Sequence, residues 1–199
     1  MKRFAIYLAA FVIFVGVPLS AGAADEHAKS TAAKKGAADS RFIMHVAQDG
    51  MAEVELGKMA NERASSQTVK EFAQRMATDH GKANQELAQL AQQKGITMPT
   101  GIDGKHKKLM DRLAKLSGAD FDRAYMREMT RDHDKDVKAF QREAKQAKDA
   151  DVRAWVEKTL PTLQEHQKQA KQVAASVGAA GRTARHKGGA AATGSASPK

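Results

Sequence analysis

Apolar residues recur at intervals of three and four positions along most of this chain, which is the spacing of one face of an α-helix. Turn-like stretches interrupt the pattern at residues 64–66, 94–104, 117–118 and 147–150. The pattern predicts four long helices over about residues 40–63, 67–93, 119–146 and 150–177, and a short helix over 105–116 within the central connection. Long amphipathic helices without a period-two stretch predict an all-α fold, an antiparallel four-helix bundle.

One polar side chain interrupts the apolar stripe of each long helix near its middle. These residues are Glu53, His80, His133 and His166. Because the middles of antiparallel helices lie at similar heights, we expect the four side chains to converge in the interior. A buried carboxylate is costly unless it is paired or ligated, and a buried imidazole needs partners for both ring nitrogens.

Two physical solutions suit such a cluster, and both stay open at the level of sequence. Three imidazoles and a carboxylate form a ligand set for one iron, manganese or zinc ion, with Glu53, His80, His133 and His166 as the ligands. Alternatively, the same groups satisfy one another in a closed hydrogen-bond network that fixes the register of the helices.

Four further polar residues are candidates for an outer shell around these ligands. Asp79 and Asp132 each precede a histidine and project about 100° round the helix from it, which favours a second-shell or surface position. Asn84 and Asp136 lie about one turn after the histidines of the second and third long helices, and we expect them to orient those rings. The sequence contains no nucleotide fingerprint or Ser-His-Asp order, so it assigns neither a catalytic residue nor a cofactor-binding motif.

The composition restricts the chemistry and the partners. The chain has no cysteine, which excludes disulfides and thiolate metal sites. Its net charge is +10, yet residues 41–177 contain 24 Lys and Arg against 20 Asp and Glu, a mixed surface that argues against nucleic acid as a partner. Residues 24–40 read as a flexible linker and 178–199 as a disordered basic tail, which would make at most weak contact with an anionic envelope surface. No protein partner can be specified.

The first 23 residues predict export. Lys2 and Arg3 precede an apolar run over residues 4–17, and a small-residue stretch follows at 21–23. This three-part layout is typical of a cleaved secretory signal peptide, and the run is shorter than the roughly 20 residues of a transmembrane helix. We therefore expect a periplasmic or secreted protein whose folded domain spans residues 41–177.

Several of these motifs together resemble a known family. The segments MAEVELGK, DHGKAN and RDHDKD, followed by a histidine after TLP, are similar to the bacterial family called domain of unknown function 4142, over about residues 41–173. The resemblance implies an exported ferritin-like helical bundle and carries over Glu53, His80, Asn84, His133 and His166 as its motif residues. This chain has no Glu-x-x-His, so it departs from the ligand pattern of a two-iron centre of the ferritin type.

These observations leave three interpretations of function. The first is a non-enzymatic exported bundle that binds a metal ion or a partner in the cell envelope. The second is a mononuclear metalloenzyme that acts on a small oxidant. The third is a structural or stress-related envelope protein whose polar core only holds the helices in register.

Overall fold

The computed structural model describes the backbone of residues 22–191 and the side chains of residues 36–178. Over this part of the chain the protein is entirely helical, without a strand. The helices are α1 (Gly22–Arg63), α2 (Gln67–Gln93), α3 (Gly104–Ala114), α4 (Gly118–Gln146) and α5 (Ala150–Ala191). Within the described residues no helix is both long and apolar enough to span a membrane.

The chain divides into two compact units, residues 1–34 and 35–199. The described residues of the first unit, from Gly22 onward, are helical. Every contact and site discussed below lies in the second unit.

The inner helix boundaries agree with the sequence prediction, whereas the two outermost boundaries differ. The structure begins α1 at Gly22 and ends α5 at Ala191, so residues 24–40 and 178–191, predicted as a flexible linker and tail, are helical. Both flanks are rich in alanine, which favours a helix even where no apolar stripe marks one. The predicted signal segment, apart from its last two residues, and the end of the tail lie outside the described residues.

Two apolar clusters form the core, and each contains residues from all four long helices. The first cluster contains the second half of α1, the first halves of α2 and α4, and the second half of α5. The second cluster contains earlier residues of α1 (Ile43 and Ala47), the second halves of α2 and α4, and the first half of α5. Large members of the first cluster are Leu56, Phe72, Met76, Phe121, Tyr125 and Met129, and of the second Ile43, Leu87, Phe140, Trp155 and Leu163. Along the chain, the two clusters are separated by residues 48–55 of α1, 77–82 of α2, 130–136 of α4 and 164–169 of α5.

Two buried aspartates accept hydrogen bonds from the backbone N–H groups of the turns between neighbouring helices. Asp39 of α1 accepts hydrogen bonds from the backbone N–H groups of Lys148 (3.1 Å) and Asp149 (2.8 Å), in the turn between α4 and α5. Asp122 of α4 accepts hydrogen bonds from the N–H groups of Ser65 (3.0 Å) and Ser66 (2.9 Å), in the turn between α1 and α2. Each helical pair thus supplies the acceptor for the other pair's turn. We call these the reciprocal aspartate caps.

Candidate metal centre

The four polar residues that interrupt the apolar stripes of the long helices meet in the interior. Glu53 of α1, His80 of α2, His133 of α4 and His166 of α5 are 2%, 6%, 0% and 1% exposed. The ring centroids of the histidines are 5.7 Å (His80 to His133), 5.3 Å (His80 to His166) and 5.5 Å (His133 to His166) apart. The apolar phase of each helix, read from sequence, therefore places these side chains correctly in the interior.

Glu53 and His80 form a buried ion pair. His80 donates its Nδ1–H to Glu53 Oε2 at 2.9 Å. Burial alone would raise the pKa of Glu53, but the charges of His80 and His133 and the hydrogen bond from His80 outweigh it and lower that pKa to about 2. Burial likewise opposes the charged form of His80, yet the Glu53 carboxylate raises the pKa of His80 above its usual value.

His133 has its tautomer fixed by a backbone carbonyl. Its Nδ1 lies 3.0 Å from the carbonyl oxygen of Met129, and a carbonyl can only accept, so Nδ1 carries the proton. The same Nδ1 lies 3.6 Å from Glu53 Oε1. In the neutral form of the ring, the lone pair of His133 is therefore on Nε2, which is buried without a hydrogen-bond partner.

His166 has its tautomer fixed by a carboxylate from another helix. Its Nε2–H donates to Asp79 Oδ2 at 2.8 Å, and Arg75 Nε donates to the same oxygen at 3.3 Å. Burial, reinforced by the charges of His80 and His133, lowers the pKa of His166 to about 4 against the opposing pull of Asp79. At neutral pH His166 is thus uncharged, with the lone pair of Nδ1 buried and unpartnered.

The three histidines together offer an imidazole ligand set. Each ring has one nitrogen engaged by an oxygen, and each has a second nitrogen that is buried without a partner: His80 Nε2, His133 Nε2 and His166 Nδ1. One nitrogen of each ring lies within 4.8 Å of one from each of the others. A tetrahedral ion with bonds of about 2.1 Å would need separations of roughly 3.4 Å, so each pair of nitrogens would have to approach by at most about 1.4 Å.

Glu53 lies with other carboxylates rather than with the free ring nitrogens. One of its oxygens groups within 4.8 Å of oxygens from Asp132 and Asp136. Burial and the charge of Glu53 raise the pKa of both aspartates, that of Asp136 well above its usual value. Glu53, expected from sequence as a ligand beside the histidines, instead contacts the Nδ1 side of two rings. An oxygen that holds the far side of a metal-binding imidazole is typical of the second coordination sphere.

The orienting contacts also differ from those expected from sequence. Asp79, adjacent to His80 in the chain, orients His166 of α5. Asn84, expected to orient His80, lies against Gly50, where a Cβ atom would come within 2.2 Å of its Oδ1. Asp136, expected to orient His133, lies in the carboxylate group, and the Met129 carbonyl takes that role. Contacts across helices depend on the packing, which helical phase alone does not give.

A small cavity adjoins the centre. Its volume is about 40 Å³, and its walls include Glu53, His80, Asn84, Trp155, Thr159 and His166. Since one water needs about 10–15 Å³ by the same measure, the cavity has room for a few atoms. Two of the three histidines therefore border a space that a small ligand could occupy.

These observations define an all-helical domain with a buried cluster of three inward-facing imidazoles. The chain belongs to the family described as Domain of unknown function (DUF4142), whose profile matches residues 23–173, so the resemblance seen in the sequence is confirmed. No curated protein matches the chain.

Two solved structures share the helical fold. One is described as CopM in the Cu(II)-bound form, with a TM-score of 0.59 and 19% identity over 69% of this chain and 96% of that chain. The other is a DUF305 fragment from Deinococcus radiodurans, with a TM-score of 0.60 and 16% identity over 69% of this chain and 95% of that chain. At these identities the likeness concerns the fold.

Proposed function

We propose that this protein binds one transition-metal ion through His80 Nε2, His133 Nε2 and His166 Nδ1. The observation that carries the proposal is that these three buried nitrogens lack hydrogen-bond partners while the opposite nitrogen of each ring is held by an oxygen. Buried polar groups without partners are rare, and an ion would satisfy all three at once. On binding, the ion would displace the proton that the charged form of His80 carries on Nε2. Glu53 and Asp79 act as second-sphere acceptors that keep each ring in the required orientation.

The donor set favours copper or zinc among the divalent ions. With Glu53 turned to the far side of the rings, the first sphere contains imidazole alone, which suits copper and zinc better than manganese. The carboxylate expected from sequence beside the three imidazoles, the kind of ligand that suits manganese, is then outside that sphere. The fold neighbour CopM was solved in its Cu(II)-bound form, which makes copper the first ion to test.

The proposal includes a ferritin-like architecture and an exported location. Along the chain, α1 and α5 meet the second cluster before the first, whereas α2 and α4 meet the first before the second. This order supports an arrangement in which α1 and α5 run in one direction and α2 and α4 in the other. That is an antiparallel four-helix bundle with one long central connection, as in ferritin-like folds. The signal-like pattern of residues 2–23 supports a periplasmic or secreted location, where the protein would bind or buffer a metal ion.

Metal titration of the purified protein tests this proposal. We expect one Cu²⁺ or Zn²⁺ per chain by elemental analysis and calorimetry, with binding abolished in His133→Gln and in His80→Ala. His45→Ala removes an exposed imidazole and is the matched control, which should bind normally. Substoichiometric metal that neither core substitution changes would falsify the site, provided that circular dichroism shows both variants folded.

A mononuclear metalloenzyme is a second candidate, favoured by the cavity beside His80 and His166. With three protein ligands, a tetrahedral ion keeps one position open, as catalytic zinc sites do. Azide added to a cobalt- or copper-loaded protein should change its visible spectrum if that position faces the cavity. An unchanged spectrum would favour a closed binding site, and absence of metal binding would favour a structural hydrogen-bonded core.

A further inference from the structure

The outward face of α4 is basic over most of its length. Between Arg127 and Lys145, every exposed charged side chain is a lysine or an arginine. We call these residues the α4 basic face: Arg127, Arg131, Lys135, Lys138, Arg142 and Lys145. Their spacing of three and four residues holds them on one side of the helix, over about 27 Å at 1.5 Å per residue.

The acidic residues of this helix neutralise only part of that face. Arg131 pairs with Glu128, and Lys135 lies 3.8 Å from Asp132. Among the described residues, the other four members of the face form no ion pair. Asp134 is engaged by α5, where Gln167 and Lys171 each contact its Oδ1 at 2.7 Å. Glu128 is mostly buried beneath two arginines, Arg131 at 2.8 Å and Arg112 of α3 at 3.8 Å. Because α3 adds Arg112 at this point, the positive surface also widens towards α3.

The other long helices lack such a segregation of charge. On α5, for example, the exposed residues Asp151, Glu157 and Glu165 alternate with Arg153, Lys158 and Lys168. Charges that are nearly balanced along the sequence are therefore sorted by the fold so that the fully exposed charges over residues 127–145 of α4 have a single sign. A row of mobile cationic groups on a rigid helix attracts an extended anionic surface.

We infer that the α4 basic face docks the protein onto an anionic lipid surface. A bilayer fits better than a nucleic acid because the exposed positions of the face contain no aromatic side chain on which a base could stack. Met44 of α1 is the sole exposed large apolar side chain among the described residues, so attachment would be electrostatic and peripheral, without insertion. This inference depends on surface residues alone and does not require the proposed metal site.

Vesicle sedimentation with matched charge variants tests the inference. One variant carries Lys138→Gln, Arg142→Gln and Lys145→Gln; the other carries Lys82→Gln, Lys158→Gln and Lys168→Gln, which removes the same charge from exposed sites on α2 and α5. Both retain the N-terminal segment and tail, so those regions contribute equally. Vesicles contain phosphatidylglycerol mixed with phosphatidylcholine, or phosphatidylcholine alone, at low and at physiological salt.

We expect the unmodified protein to sediment with the phosphatidylglycerol vesicles at low salt and not with phosphatidylcholine. Since each basic residue near such a surface contributes about fivefold, the α4 variant should bind on the order of 100-fold more weakly, and the control variant distinctly less so. Equal loss in both variants would assign binding to net charge and overturn the inference. It is also overturned if no vesicle is bound, or if soluble polyphosphate is bound while vesicles are not.

Discussion

His166 of α5 donates its Nε2–H to Asp79 of α2 across the helix interface, at 2.8 Å. Asp79 is in turn held by Arg75 one turn earlier on its own helix. This series of contacts fixes the rotation of the His166 ring and leaves Nδ1 as the nitrogen that the proposed metal site would use. A residue that is adjacent in sequence to one histidine therefore positions another.

Asp79→Asn tests this positioning role. Asparagine still offers an oxygen but no charge, so the His166 ring is held less firmly and is a weaker base. We expect the affinity for Cu²⁺ or Zn²⁺ to fall by about 10- to 100-fold with one ion still bound per chain. Asp134→Asn, which removes a carboxylate paired with Lys171 at the surface, is the control and should leave the affinity unchanged. Equal affinities for the two variants in competition titrations would contradict the role of Asp79.

Glu53→Gln tests the buried ion pair. Loss of the carboxylate leaves His80 in the interior without its counter-charge, and breaking one side of a buried pair costs about 3–5 kcal/mol. We expect a lower midpoint of urea unfolding, and we expect the pKa of His80 to fall because the largest opposition to the effect of burial is removed. Urea titration measures the first effect and NMR titration of the imidazole the second. A change in unfolding free energy below about 1 kcal/mol would show that Glu53 is uncharged in the folded protein.

Gly57 and Gly81 form a matched pair for the packing between α1 and α2. A Cβ atom at Gly57 would lie 2.7 Å from the carbonyl oxygen of Ala73, whereas nothing lies within 4 Å of one at Gly81. We expect Gly57→Ala to destabilise the protein by about 1–3 kcal/mol, because backbone of the facing helix must move. Gly81→Ala should stabilise it by roughly 0.5–1 kcal/mol through helix propensity. Thermal unfolding shifts of the same sign would contradict this packing.

We predict that Asp149, in the turn before α5, makes part of the stability of the folded protein sensitive to acid. It caps α5 by accepting from the N–H groups of Asp151 and Val152, and Lys94 lies 2.7 Å from its other oxygen. The hydrogen bond from Lys94 is the largest cause that lowers the pKa of Asp149 below 3.8. Its stabilising effect is therefore present above that unfolded-state pKa and is lost as the pH falls through the lower pKa of the folded protein.

Asp149→Asn preserves the cap but removes the titrating charge. We expect it to cost less than about 1 kcal/mol at pH 7, because the pair is partly exposed. Melting temperatures measured from pH 7 down to pH 2 should then fall less steeply for Asp149→Asn than for the unmodified protein. Parallel curves would show that Asp149 contributes nothing to acid sensitivity.

The sequence predicted the interior residues well because burial follows helical phase. The steps of three and four that place Met76 and Leu87 in the core also place His80 there, so the inward direction of the histidines was accessible without a structure. The sequence did not show which partner each histidine contacts. Asp79 reaches His166 only through the rotation of α2 against α5, and a carbonyl such as that of Met129 has no signature in the sequence.

The outward surface was harder to predict than the core. Counting charges along residues 41–177 suggested a mixed surface, because the count does not distinguish outward positions from those turned towards other helices. Acidic residues of α4 such as Glu128 and Asp134 are held by ion pairs with basic groups, and only the fold shows which basic residues remain on the outside.

The reciprocal aspartate caps have a consequence for how the protein folds. The N–H groups of Ser65 and Ser66 in the first turn find their acceptor only when α4 arrives, and those of Lys148 and Asp149 in the second only when α1 arrives. Neither helical hairpin can satisfy its own turn in isolation. A state in which only one hairpin has formed therefore has backbone N–H groups in its turn without an acceptor. This cost makes assembly of the two hairpins a single cooperative event.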